Sequence, residues 1–142
     1  MSSFRSLAVL ASLVAAPAAA LAEASSQSDV TVIRTTIERQ LEAFRSNDGA
    51  AAFALAAPKI QASFGSPDRF IGLVKEGYSP VFKAKSVMYG RLVKNEDATL
   101  QLVHLVDNRD RPWLALYIME AQADGSWRIA GCLLTGDPGA DI

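Results

Sequence analysis

Apolar side chains recur three and four apart through the first part of the chain and every second residue through the last part. The pattern alone therefore divides the molecule into a helical half and a strand-rich half. Val30, Ile33, Ile37, Leu41 and Phe44 make one stripe, which predicts a first helix capped by Ser28 or Asp29. Arg34, Glu38, Glu42 and Arg45 fall largely off that stripe and read as its solvated face. Ser46-Asn47-Asp48-Gly49 ends the helix, and Asp48 caps a second one over residues 50–57, mostly alanine apart from Phe53 and Leu55, which Pro58 stops. Periodicity leaves residues 59–65 open between a helical turn and an edge strand.

Ser66-Pro67-Asp68 is a helix start: a capping hydroxyl, a proline where a missing N–H costs nothing, and an acid at the positive end of the dipole. Phe70, Ile71, Val74 and Tyr78 follow at helical spacing, and Gly77 and Pro80 end the element. From Lys85 the period becomes two. Four strands are expected near 86–93, 98–106, 113–121 and 127–134, separated by Lys94-Asn95-Glu96-Asp97, by residues 107–112 and by the hairpin signal Asp124-Gly125. Connections this short dictate an antiparallel meander. Three helices followed by that meander predict an α+β domain with the N-terminal helices packed on one face of a curved four-stranded sheet.

With 142 residues, half of them hydrophobic and a fifth charged, the chain reads as one globular domain. The N-terminus is set apart from it. Arg5 precedes the apolar run Leu7–Ala16 and the small-x-small site Ala20-Leu21-Ala22, the three parts of a secretory signal peptide. The run is shorter than the roughly 20 residues a membrane span needs. The expected organisation is a cleaved leader over 1–22, a loose segment over 23–28, the domain over 29–136 and a tail over 137–142. Export of the Sec type, to the periplasm or beyond, follows as an expectation, since an Arg pair for the twin-arginine route is lacking. Without Arg5, 13 basic residues face 15 acidic ones, a balance that offers no footprint for nucleic acid or an anionic membrane. Cys132 is the only cysteine, so the core must hold by packing alone.

Two segments carry a resemblance to a known family: IRTTIERQLEAFRSNDGAAAFALAAPKIQASFGSPDRFIGLVKEGYSPVF, from Ile33 to Phe82, and DGSWRIAGCLL, from Asp124 to Leu134. They resemble a bacterial family of exported proteins catalogued as domain of unknown function forty-eight sixty-four. That family is similar to the nuclear-transport-factor-two-like superfamily, whose curved sheet wraps around helices to form a cone. The resemblance implies this cone and a pocket within it. It implies no activity, and it places the exporting cell among Gram-negative bacteria.

If the strands are paired through tight, bulge-free turns, one face carries Met88, Val103, Leu105, Leu114, Leu116, Ile118, Trp127, Ile129 and Leu133, an ordinary core face. The other carries Val87, Tyr89, Arg91, Leu100, Leu102, His104, Trp113, Ala115, Tyr117, Met119, Arg128, Ala130 and Cys132, with His104 beside a row of Tyr89, Leu102, Tyr117 and Cys132. Two readings stay open. In the first the protein is a non-catalytic module, whose cone binds a small apolar ligand or whose sheet forms a homodimer. In the second it is a small lyase or isomerase in which His104 carries a proton and Tyr89 or Tyr117 donates to a ligand oxygen. No Asp or Glu stands beside His104 on either face, which favours the first reading and argues against an enzyme. Gln61 and Tyr78, in and after the PKIQASFG turn, complete the candidate pocket. Gln61 also has a structural reading, as partner to backbone groups left open by the broken helix. One His and one Cys cannot supply a metal site, Cys132 reads as buried strand, and the closing GDPGAD lacks phosphate-loop spacing, so neither metal nor cofactor is expected.

Overall fold

The computed structural model describes residues 18–136. Within them, five helices precede four strands: α1 (Ala18–Arg45), α2 (Gly49–Ala54), α3 (Pro58–Phe64), α4 (Pro67–Gly77), α5 (Ser79–Phe82), β1 (Ser86–Lys94), β2 (Thr99–Val106), β3 (Pro112–Ala121) and β4 (Trp127–Gly136). The strands pair in chain order as an open antiparallel sheet, and the helices cover one of its faces. This is the expected α+β architecture.

Local chemistry explains the boundaries. Asn47, at φ 53°, turns the chain out of α1, and the Asp48 carboxylate accepts from Ala51 N–H at 3.0 Å to cap α2. Ser66 Oγ accepts from Arg69 N–H at 3.3 Å, with Pro67 at the first position of α4. Apart from α5 (Ser79–Phe82), a short helix with Pro80 in its first turn where a helix end was expected, two helices differ from the sequence reading. The segment 23–28, expected to be loose, is helical and continues α1 back to Ala18; most of the expected leader, residues 1–17, lies outside the described residues, as does the tail over 137–142.

The second difference is at Pro58, which begins α3 rather than ending α2. Leu55–Ala57 leave the helix because they pair with the edge of β4: Ala57 N–H donates to Ile129 O at 2.8 Å and Ile129 N–H to Leu55 O at 2.9 Å. Arg128 Nη1 adds a bond to Ala54 O at 2.9 Å. A strand edge that would otherwise offer unpaired backbone groups is thereby covered.

The register also differs from the bulge-free assumption. Between β2 and β3, Asp107 N–H donates to Arg111 O and Asp110 turns at φ 60°, leaving a three-residue loop where a two-residue turn was assumed. One added residue flips the phase of β3, so Ala115, Tyr117 and Met119 face the helices, while Leu114, Leu116 and Ile118 face outward. In β1 the pairing slips between Tyr89 and Leu92, and in β3–β4 between Ile118 and Met119. The second bulge returns Cys132 to the helix-facing side, opposite Tyr117. Met88, expected in the core, is 66% exposed on the outer face.

Buried polar groups hold these irregularities. Gln101, wholly buried, donates from Nε2 to Gly90 O at 3.0 Å and Leu102 O at 2.8 Å, and Arg34 Nη2 donates to Gly90 O at 3.1 Å. The carbonyl that the β1 bulge frees is therefore satisfied inside the protein. At the β2–β3 loop the Asp107 carboxylate accepts from Arg109 and Arg111 N–H, Arg111 Nε and Trp113 Nε1, all at 2.8–2.9 Å.

The core joins Ile33, Ile37, Leu41 and Phe44 of α1 to Val103, Leu105, Ala115, Tyr117 and Ile129 of the sheet. Phe70 on α4 is the hub of an aromatic cluster, with ring centroids 6.1 Å from Phe44, 5.5 Å from Phe53 and 5.6 Å from Phe64. Such tilted and edge-on geometries let each ring present its positive edge to a neighbour's face.

Candidate functional site

Packing around Phe70 stops short of filling the space between the helices and the end of the sheet. A cavity of about 200 Å³ remains there, walled by Phe44 and Gln40 of α1, Ile60 and Phe64 of α3, Phe70, Leu73 and Val74 of α4, and Tyr117, Ile129, Gly131 and Cys132 of the sheet, with Tyr78 and Val81 closing one side. Its lining contains no ionisable acid or base of the Asp, Glu, Lys, Arg or His type. Leu73, 44% exposed, marks where it meets solvent. Tyr78 and Cys132 also line a surface groove on their far side, beside Pro80 and Trp113, and so form a partition between groove and cavity.

Each polar group of the wall has a defined state. Gln40, on the apolar stripe of α1, donates from Nε2 to Ala52 O at 3.1 Å and so ties α2 to α1. Cys132 is half-buried as a residue, with its thiol pushed up to about 12 by burial, so it is neutral at physiological pH. Tyr117 is 1% exposed, and its hydroxyl, removed from solvent, has no hydrogen-bond partner among the described residues. Burial, then the neighbouring Cys132 and Tyr89, hold that phenol well above its ordinary range.

Of the residues picked out from the sequence, Tyr117 and Tyr78 line the cavity and Tyr89, Gln61 and His104 do not. Tyr89 shares the helix-facing side of the sheet with Tyr117, but its hydroxyl donates to Glu38 Oε2 at 3.0 Å, with the Arg34 guanidinium 5.5 Å above its ring. Burial and that carboxylate raise its pKa. Gln61 Nε2 donates to Phe53 O at 3.0 Å and Ala56 O at 3.1 Å, joining Ala56 N–H at 3.1 Å on the first carbonyl and Arg128 Nη1 at 3.5 Å on the second.

His104 requires a correction. It pairs with Met88 and Leu114 on the outer face, because the three-residue loop and the β1 bulge shift both neighbouring strands. Its Nε2 lies over Gly90, only 3.2 Å from where a Cβ there would stand. The sheet thus separates His104 from Tyr89 and Tyr117, and the three do not form an acid–base constellation.

Sequence reasoning left Gln40 out, read Phe44 and Phe70 only as positions on helix stripes, and noted Phe64 only as a position matching the family likeness. Gln40 had a readable signal, since it is three residues after Ile37 and four before Phe44 on the apolar stripe, where a polar side chain needs an internal partner. Among the described residues no three His, Cys, Asp or Glu side chains gather as a metal site, and no helix is long and apolar enough to cross a membrane.

Fold and site together define an α+β protein with an uncharged apolar cavity between its helices and one end of its sheet. The chain belongs to the family described as Domain of unknown function (DUF4864), whose model matches residues 26–142. No curated protein matches it.

Proposed function

We propose that the protein is a non-catalytic binding module that takes up a small apolar molecule in the cavity beside Tyr117. The observation that carries this reading is the cavity itself. Protein interiors are packed as densely as organic crystals and rarely keep voids beyond the size of a water. A space of about 200 Å³ lined by aromatic and aliphatic side chains and open to solvent at Leu73 is instead a concave apolar cleft, the form small-molecule sites take. It is larger than the ~150 Å³ apolar cavity that suffices elsewhere to hold benzene. Its uncharged lining supports binding rather than acid–base chemistry.

The signal-like leader supports action outside the cytoplasm, in the periplasm or secreted. Helices packed on one face of an antiparallel sheet with two bulges are in keeping with a nuclear-transport-factor-two-like cone. The test is native mass spectrometry of the protein purified from the exporting cell, followed by titration with small aromatic hydrocarbons. Saturable one-to-one binding that Phe70→Ala or Val74→Trp alters supports the proposal. Absence of both a co-purified mass and any saturable binding sinks it.

A second reading rests on the outer sheet face. Leu100, Leu102, Leu114, Leu116 and Ile118 lie there half-buried, with Met88 66% and Leu133 61% exposed, and none of the helices among the described residues packs on them. Four strands of this length present roughly 500 Å², approaching the ~800 Å² per partner of a standard interface. A second copy of the chain is the occupant we propose, with His104 near the centre of the contact. Sedimentation equilibrium tests it: a dimer that Leu116→Lys converts to monomer supports it, and a monomer at high micromolar concentration rejects it.

A further inference from the structure

A second cleft, of about 380 Å³, shares no lining residue with the apolar cavity. It lies between α1 and the last residues of β1, with Thr99 of β2 and Trp127 of β4 completing its wall. We propose that it binds a small dianion, a dicarboxylate or a phosphate, held by Arg34 and Arg91. Charge leads to this class. Among the described residues three cations, Arg34, Arg91 and Lys94, line the cleft against one carboxylate, Asp29. That carboxylate is engaged by Lys94 Nζ at 3.4 Å. Arg34 and Arg91 have no ion-pair partner among the described residues, and Glu38, one turn on from Arg34, is drawn instead to Arg45 at 3.2 Å and to the Tyr89 hydroxyl at 3.0 Å. Two positive charges therefore stand in the wall without an offsetting carboxylate. A cleft lined by one sign of charge concentrates its field on the space it encloses, and an anion of opposite charge relieves the repulsion.

The two arginines are also placed for the task. Arg34 reads in the sequence as part of a solvated face, yet the fold half-buries it. Its Nη2 donates to Gly90 O at 3.1 Å and its Nε to Gln101 Oε1 at 3.5 Å, which fixes the guanidinium plane and leaves Nη1 with no protein acceptor among the described residues. A guanidinium already held loses little freedom on binding, and its planar donors match the oxygens of a carboxylate or phosphate. Arg91 is set beside it by the β1 bulge, where Gly90 and Arg91 together oppose the single residue Leu102. The Arg91 side chain is exposed and makes neither a hydrogen bond nor an ion pair among the described residues, so it is available to a ligand.

The experiment is calorimetric titration of the protein with succinate, with inorganic phosphate and with neutral succinamide, at low ionic strength where charges are least screened. The expected result is one-to-one binding of succinate or phosphate with Kd about 1 mM or tighter, and none of succinamide. Arg91→Ala removes no contact of the fold and should weaken the anion about tenfold, the scale of a charge-assisted hydrogen bond. Asp29→Asn releases Lys94 and should tighten it about threefold. Arg69→Ala, at an exposed arginine on α4, should change nothing. Binding of one anion and not the other upholds the site and identifies the oxyanion it takes. The proposal is overturned if neither anion binds, if succinamide binds as tightly as succinate, if Arg91→Ala binds like the wild type, or if Arg69→Ala weakens binding as much as Arg91→Ala.

Discussion

Tyr117 and Cys132 are direct partners across β3 and β4, and both stand in the wall of the same apolar cavity. Neither has a charged neighbour in that wall to ease its ionisation. Burial keeps both the oxygen and the sulfur protonated, which governs what substitutions and pH should do.

Tyr117→Phe should leave the fold intact and raise its stability, because a buried hydroxyl without a partner costs about 1–3 kcal/mol. Tyr117→Ala should lose about 3–5 kcal/mol, as truncation of a large core ring does. Urea unfolding distinguishes the two. A Tyr117→Phe protein less stable than wild type by more than about 1 kcal/mol would mean that the hydroxyl has a partner after all.

Stability should fall at alkaline pH. Cys132, Tyr89 and Tyr117 all have raised folded pKa values. Their protonated forms dominate in both states at neutral pH, so the contribution is complete below the unfolded values of 9.0 for Cys and 10.0 for Tyr. It is then lost as pH rises toward the folded values, because the unfolded chain ionises first. Urea midpoints should be level from pH 7 to 8.5 and decline above pH 9. Phenolate absorbance from Tyr89 and Tyr117 should grow with unfolding and not ahead of it.

At the acid end the sign reverses. Burial alone would raise the Asp107 carboxyl, but hydrogen bonds from the Arg111 and Arg109 N–H groups, Trp113 Nε1 and Arg111 Nε outweigh it and hold the group well below the usual carboxylate range. Its contribution is present above the unfolded value of 3.8 and is lost as pH falls below it. Asp107→Asn should lower the melting temperature at pH 7 and flatten the decline below pH 4. An unchanged acid limb in the variant would remove Asp107 from the account.

Gln61→Ala should cost about 1 kcal/mol, since Phe53 O keeps the Ala56 N–H and Ala56 O is left with only the long bond from Arg128 Nη1. Hydrocarbon binding should persist in conditions where the variant is folded. Loss of binding without loss of stability would instead return Gln61 to the site.

Cys132 should react slowly with uncharged thiol reagents at pH 8, its thiolate being scarce and its sulfur enclosed. Tyr78→Ala removes the other half of the partition between groove and cavity and should speed the reaction; a bound hydrocarbon should slow it again. Equal rates in all three states would show that the reagent reaches Cys132 by another route.

Much of the fold was legible because its signals are local. Asp48, Ser66 and Pro67 mark helix starts by chemistry confined to one turn, and the alternation in 99–106 needs only neighbours to be read. The site was legible in part. Tyr117 and Tyr78 stood out as polar-tipped aromatics, whereas the place of His104 depended on a loop one residue longer than assumed and on the bulge held by Gln101. Those features arise from contacts between distant segments, such as Arg34 with Gly90, that no local pattern carries. Pro58 was misread for the same reason: the force drawing Leu55–Ala57 out of the helix is the edge of β4, the last strand in the chain.

That edge pairing also sets the order in which the cavity can come into being. Arg128 reaches Ala54 across 74 residues, and Ile129 joins both Leu55 and Ala57 beside it. Contacts so distant in sequence form late, after the entropy of closing the intervening chain has been met. During synthesis the segments carrying Phe44, Phe64 and Phe70 are therefore made before the strand that encloses them. Until β4 arrives, the future interior of the pocket is an open hydrophobic surface, the part of the nascent protein most in need of a chaperone's cover.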